Sequence, residues 1–234
     1  MKSGGWSAAV ALTLAGVLGC GALGFLAYRL ISPPGTLRAS APPAARPADL
    51  APAVPASGGG GKPIPDALPD FSLPDASGVP HRLAEWAGRP LVVNFWATWC
   101  EPCRREIPLL EGLRRENAGN AIEIVGIAID NRDSVEKYVR DMKIDYPVLI
   151  GEKGGLEAAA AFGMEPVLPF SAFADAGGRI VTVKVGELHR DEATFILARL
   201  ADIRAGRLTL EAARGQIETA MRSLAVSRAA AGGD

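Results

Sequence analysis

Apolar and polar positions divide the chain into three regimes. From Ala8 to Tyr28 no charge interrupts a run dominated by Ala, Val, Leu, Gly and Phe, long enough to span about 30 Å of hydrocarbon as a helix. From Ser32 to Pro65 Pro, Ala and Gly dominate, with Gly58-Gly59-Gly60-Gly61 near the end, and no apolar periodicity is present to bury a core. From Asp66 onward short apolar runs alternate with amphipathic segments, the pattern of a folded domain.

Within that domain Phe71-Ser72-Leu73 and His81-Arg82-Leu83 flank the turn signal Asp75-Ala76-Ser77-Gly78 and predict a β-hairpin, with His81 as a surface histidine on its second strand. Leu91 to Ala97 (LVVNFWA) reads as a fully buried strand that runs directly into Cys100-Glu101-Pro102-Cys103 and a helix. Ala121 to Ile129 (AIEIVGIAI) is a second apolar strand. Asn131 and Asp133 are both placed to cap a helix through Val135, Tyr138, Val139 and Met142. Tyr146 to Ile150 predicts a further strand, and Leu156 to Phe162 a short helix ended by Gly163. Pro169 precedes the apolar run Phe170 to Asp175, Ala176-Gly177-Gly178-Arg179 makes a hairpin turn, and Ile180 to Gly186 alternates as an edge strand does. Asp191 is placed to cap a helix through Phe195, Ile196, Leu197 and Leu200. Alternating strands and helices imply an α/β fold with parallel strands joined by crossovers. Beyond Gly206, Leu210, Ile217, Met221 and Leu224 form one apolar stripe, which either packs back on its own domain or meets a partner.

Composition narrows the function classes. A chain of 234 residues that is 48% hydrophobic suits one globular domain with appendages, and a net charge of −1 gives no electrostatic case for nucleic acid or an anionic membrane surface. Three cysteines exclude a disulfide framework. The expected organisation is a membrane anchor over 1–31, a linker over 32–65, a folded domain over 66–204 and a helical extension over 205–234. An uncleaved anchor is favoured over a cleaved signal peptide or lipidation at Cys20 in Val17-Leu18-Gly19-Cys20, because apolar sequence continues to Ile31. Lys2 on one flank and Arg29, Arg38 and Arg46 on the other leave the orientation open by charge alone. Fully extended, the Pro-rich linker reaches roughly 90 Å.

The chemistry lies in Cys100-Glu101-Pro102-Cys103. A strand that feeds a helix puts Cys100 at the helix N-terminus, where unpaired N–H groups and the positive end of the dipole favour a thiolate and arm it as a nucleophile. Cys103, one turn further in, is the more buried, resolving partner. Pro102 fits the first turn, where the N–H it lacks has no intrahelical acceptor, and its ring fixes the relation of the two sulfurs. The competing reading, half of a zinc site, needs four ligands; Cys20 lies in an apolar segment and His81 and His189 are isolated, so no metal is expected.

The run Trp96-Ala97-Thr98-Trp99-Cys100-Glu101-Pro102-Cys103, followed by Arg104-Arg105-Glu106-Ile107-Pro108, resembles the thioredoxin superfamily and, within it, the membrane-tethered thiol:disulfide oxidoreductases of the TlpA/ResA type. The resemblance covers residues 66 to 203. It implies a thioredoxin-like fold, a central mixed sheet flanked by helices, with an added N-terminal β-hairpin and an insertion near 146–162. It implies that Leu168–Pro169 is a cis bond opposite the two cysteines, Pro166 being the other candidate, and that Trp99, Pro102, Leu168 and Pro169 form the substrate-binding surface. Phe170-Ser171 stands where the family more often has two threonines. Where classical thioredoxins carry a buried aspartate this chain has Asn94, which takes no proton; Glu106, three residues after Cys103 on the same helical surface and a glutamate in the family, is the expected proton-exchange group.

These residues imply a thiol:disulfide oxidoreductase with no cofactor beyond a Cys100–Cys103 disulfide. The resemblance implies a reductase held by a single-pass anchor in the bacterial cytoplasmic membrane, its redox domain on the periplasmic side. Its expected partners are disulfide-bearing client proteins, such as apocytochrome c or copper-site assembly proteins, and a membrane-embedded thiol electron donor. A copper-binding metallochaperone and a redox-inactive scaffold are the alternatives from other classes; a peroxidase fits a vicinal CxxC poorly.

Overall fold

The computed structural model describes residues 63–232 apart from 118, 120, 121 and 166. The expected anchor, most of the linker, Cys20 and Pro166 lie outside the described residues. Among the described residues no helix is long and apolar enough to cross a membrane.

A hairpin comes first, β1 (Ser72–Pro74) antiparallel to β2 (Pro80–Arg82). Its turn is closed by Asp75, whose Oδ1 accepts the N–H groups of Ser77 at 2.8 Å and Val79 at 3.0 Å. Each strand lies one residue closer to the turn than the apolar pattern indicates, because Leu83 leaves the strand and starts a short 3-10 helix, Leu83–Trp86. His81 is held between Glu85 (2.7 Å) and Asp75 (3.3 Å), and the Glu85 hydrogen bond raises its pKa.

Five strands form the main sheet: β3 (Leu91–Trp96), β4 (Glu123–Ala128), β5 (Val148–Ile150), β6 (Phe170–Ala174) and β7 (Ile180–Val185), in the spatial order β5-β4-β3-β6-β7. The crossovers expected from the alternation of elements give parallel pairing only for β3–β4–β5; β6 and β7 run antiparallel, so the sheet is mixed. The helices are α1 (Glu101–Glu116), α2 (Arg132–Met142), α3 (Lys153–Ala161), α4 (Arg190–Arg204) and α5 (Leu210–Ala230).

Both faces of the sheet are covered, which is why β3 is apolar without alternation. On one face Val92 and Trp96 pack with Ile107 and Leu110 of α1, Ile196 and Leu200 of α4, and Leu210 and Ile217 of α5. On the other, Val93 and Phe95 meet Ala158, Ala159 and Phe162 of the α3 segment and Leu73 and Leu83 of the hairpin region. The C-terminal stripe therefore packs back on its own domain.

Three helix starts differ from the sequence expectation, each for a local reason. Asn131 alone caps α2, its Oδ1 accepting Ser134 N–H at 3.0 Å, and Asp133 falls inside the first turn. The N-cap of α4 is His189 rather than Asp191, whose carboxylate instead accepts the N–H of Glu192 at 2.9 Å. Helix α3 starts at Lys153, three residues before the expected Leu156, and runs through Gly154 and Gly155. A Cβ on Gly154 would stand 2.8 Å from Leu73 Cδ2, so the missing side chain is what lets the hairpin dock.

A similar close approach occurs at Gly126 on β4, where a Cβ would meet the Trp96 indole nitrogen at 3.0 Å and Tyr146 Cε2 at 3.1 Å. Both rings are buried and cannot swing away. Gly126→Ala is expected to destabilise the domain by about 1–3 kcal/mol through overpacking, read as a lower denaturant midpoint at unchanged slope; a midpoint equal to wild type would show that the rings yield freely.

Candidate active site

Strand β3 ends at Trp96 and α1 begins at Glu101, with Cys100 as the helix N-cap. Cys100 N–H donates to Ala97 O at 3.2 Å, Cys100 O accepts Arg104 N–H at 3.1 Å, and Cys100 Sγ accepts Cys103 N–H at 3.3 Å. The two cysteines form a disulfide with Cα atoms 5.3 Å apart, so the structure holds the oxidised state. Cys100 keeps 6% of its surface and Cys103 none, so a reagent arriving from solvent meets Cys100 first. Pro102 lies in the first turn, and Trp99 beside it is 68% exposed. The helix continues through Pro108.

The loop that carries Thr98 and Trp99 is held from beneath by Asp130, at the end of β4. Asp130 Oδ2 accepts Thr98 N–H at 3.1 Å and the Thr98 hydroxyl, while Oδ1 accepts Asn131 N–H at 2.7 Å. The sequence signal for Asp130 is only its place at the carboxyl end of a parallel strand, where α/β sheets build their sites.

The Leu168–Pro169 bond is cis. Strand register pairs Phe95 with Phe170, so Pro169 stands at the end of the sheet from which β3 leads to Cys100. Pro169 O accepts Gly186 N–H at 2.9 Å, and Gly186 takes a φ of +83°, a conformation a side chain would strain.

Glu106 lies one turn behind Cys103 and is almost wholly buried. Its Oε1 accepts Asn94 Nδ2 at 2.7 Å and its Oε2 accepts the Leu188 N–H at 2.7 Å. Asn94 Nδ2 also donates to Ser171 Oγ at 3.0 Å, across the register pair that joins β3 to β6. Burial pushes the Glu106 pKa up to about 7, against the lowering effect of these two donors. Asn94 suits either protonation state. Its amide nitrogen serves the carboxylate, and its Oδ1, buried and without a hydrogen-bond partner among the described residues, is the acceptor a protonated carboxyl needs after the amide turns over.

Of the residues expected to form the site, Cys100, Cys103, Pro102 and Glu106 share the first turns of α1, Trp99 precedes them, and Leu168 and Pro169 come to the same end of the sheet. Asp130, Ser171 and the stretch Gly186–Leu188 escape sequence reasoning, because each acts across the fold through a backbone group or a common polar side chain.

Residues 64–201 match the model of the AhpC/TSA family. The chain belongs to this family. Thiol-disulfide oxidoreductase ResA of Geobacillus thermodenitrificans is 30% identical over 125 residues, which are 53% of this chain and 70% of that protein. Among solved structures, a thiol:disulfide interchange protein of the thioredoxin family from Chlorobium tepidum superposes with a TM-score of 0.50 at 29% identity over 61% of this chain and 97% of its own. A thiol-disulfide oxidoreductase from Bacteroides fragilis superposes with a TM-score of 0.51 at 26% identity, over 57% and 98%. This AhpC/TSA-family protein is therefore a ResA-like thiol-disulfide oxidoreductase built on the thioredoxin fold. Among its described residues no three His, Cys, Asp or Glu side chains are grouped to hold a metal ion.

The Glu106 pKa makes the stability of this oxidoreductase depend on pH. The folded state keeps a proton that the unfolded chain gives up near the ordinary value of 4.5, so the stabilisation is full below about pH 4.5 and is lost as pH rises through about 7. Between about pH 5 and about pH 8 the oxidised wild-type protein is expected to lose about 2–3 kcal/mol relative to Glu106→Gln, measured by urea unfolding at each pH. Parallel curves for the two proteins would show that Glu106 titrates as it does in water.

Proposed function

We propose that the protein reduces disulfides of client proteins, with Cys100 as nucleophile, Cys103 as resolving thiol and Glu106 as the group that exchanges a proton with Cys103. The observation that carries this reading is a bridged cysteine pair at the start of α1 with a buried, proton-holding glutamate one turn behind the inner sulfur. In the dithiol form the Cys100 thiolate attacks a client disulfide, forms a mixed disulfide and releases one client thiolate. Glu106 takes the Cys103 proton, and Cys103 attacks the Cys100 sulfur. The mixed disulfide breaks, the second client thiolate leaves, and two electrons have passed from the protein to the client, leaving the Cys100–Cys103 bond.

Trp99, Pro102, Leu168 and Pro169 form the client surface in this scheme. Exposed Trp99 supplies an apolar contact, and the Leu168 main chain pairs with an extended client segment. Resemblance to ResA- and TlpA-type proteins supports an extracytoplasmic domain, tethered by residues 1–31 through the linker 32–65 and re-reduced by a membrane-embedded thiol donor. It also supports clients of the cytochrome c or copper-site assembly kind. The redox domain is then 66–204, with 205–234 as an added helix.

Two measurements test the scheme. Cys103→Ser in cells is expected to accumulate a mixed disulfide through Cys100 that a reductant releases, and Cys100→Ser to accumulate none; an equal yield from both would remove Cys100 from the attacking role. In stopped-flow reduction of a peptide disulfide, the resolving step is expected to quicken as pH rises through about 7, where Glu106 becomes the carboxylate that can accept a proton. Glu106→Gln should slow this step about a hundredfold and flatten its profile.

A further inference from the structure

The connection from β7 to α4, Gly186 to His189, touches the site at three points. Gly186 N–H holds the Pro169 carbonyl at 2.9 Å. Glu187 pairs with Arg105 of α1 at 2.5 Å. Leu188 N–H donates to Glu106 at 2.7 Å. The far end of the connection is closed by Glu192, a buried carboxylate in the first turn of α4. Its Oε2 accepts His189 N–H at 3.1 Å and lies 3.6 Å from Lys184 Nζ of β7, and its Oε1 accepts Arg228 Nη1 at 3.0 Å. Arg228 stands in the last turn of α5, beyond the residues matched by the family model, and also reaches Asp191 at 3.2 Å.

Accepting that Glu106 exchanges the proton of Cys103, we propose that Arg228 is a positioning residue for the redox reaction: through Glu192 it braces the Gly186–His189 connection and so keeps the Leu188 N–H on Glu106. The physical ground is the cost of an under-compensated buried charge. Glu192 without Arg228 retains one cation at 3.6 Å and a single backbone donor, and a buried carboxylate left so moves toward water. That movement withdraws the acceptor of His189 N–H, one residue from the amide that holds Glu106. The charges acting on Glu106 itself are Glu187 in the connection and Lys184 on β7, with Tyr146 ahead of β5 and, when reduced, the two cysteines on its own helix. Arg228 thus acts on the acid through Glu192, by shaping the connection. A helix added outside the common fold becomes part of how the proton-accepting group is held.

The test uses the full chain with four substitutions: Arg228→Ala, Arg228→Lys, Arg222→Ala and Glu106→Gln. Arg222 pairs with Glu218 on α5, 2.7 Å away, and controls for loss of a charge on the same helix. In the oxidised protein, Arg228→Ala is expected to lower the hydrogen-exchange protection of the Leu188 amide roughly tenfold, with the Val93 and Ile127 amides unchanged. As Glu106 loses a donor that favours its carboxylate form, the pH midpoint of the resolving step should rise by about half a unit or more. Arg228→Lys should recover most of both effects, and Arg222→Ala should show neither. The proposal is overturned if Leu188 protection or the pH midpoint stays at its wild-type value in Arg228→Ala, or if Val93 and Ile127 lose protection equally, which would make Arg228 a general stabiliser. A Glu106→Gln protein with the wild-type pH profile would instead sink the role of Glu106 itself. A flat Glu106→Gln profile beside an unmoved Arg228→Ala profile would sink only the role of Arg228.

Discussion

A carboxyl group that water does not reach must have its oxygens met by donors built into the protein. Glu106 on α1 takes one donor from the Asn94 amide on β3 and one from the Leu188 main chain after β7, so a single side chain ties the active-site helix to the middle of the sheet and to its edge. The arrangement works because the partner at residue 94 is an amide. A second carboxyl there would stand 2.7 Å from the first, and the two would divide one proton between them. With Asn94 the proton belongs to Glu106 alone. Asn94 is in turn tied to Ser171, the second residue after Pro169, so the acid and the strand that follows the cis-proline share one buried polar chain.

The fold was legible wherever a local pattern decided the structure. Strand β3 could be read because burial on both faces leaves a continuous apolar run, and α2 because four apolar residues at helical spacing follow a good capping residue. The reading failed where a distant contact overrode local preference. Gly154 and Gly155 sit inside α3 because each is closely approached by a side chain distant in sequence, Gly154 by Leu73 and Gly155 by Ile129. Alternating strands and helices imply parallel pairing, which holds for β3, β4 and β5 alone; the glycine-containing turn reads as a hairpin and does pair β6 with β7 antiparallel, while the antiparallel pairing of β6 with β3 has no local signal.

The site divides along the same line. The two cysteines, Pro102 and Glu106 fall within seven consecutive residues, so a strand, a helix start and a 3.6-residue repeat were enough to group them. Leu168 and Pro169 lie some 65 positions further on and were reached through family resemblance rather than spacing. Asp130 has only its place at the carboxyl end of a strand to mark it, and Leu188 has nothing. Asp130 looks like any loop carboxylate until Thr98 is seen against it, and Leu188 contributes only its amide, a group every residue but proline possesses.

The chain joins the sheet beside the turn between β6 and β7. Asp66 O accepts Ile180 N–H at 2.8 Å, Leu68 N–H donates to Gly178 O at 2.9 Å, and Arg214 of α5 lies 3.4 Å from the Asp66 carboxylate. Ile180 and Leu91 both flank Ala174 in the strand register, so this junction lies at the opposite pole of the sheet from Cys100, roughly 17 Å of strand away. A pull on the chain at Asp66 would be borne by the pole of the domain remote from Cys100, leaving the reactive sulfur clear of the load.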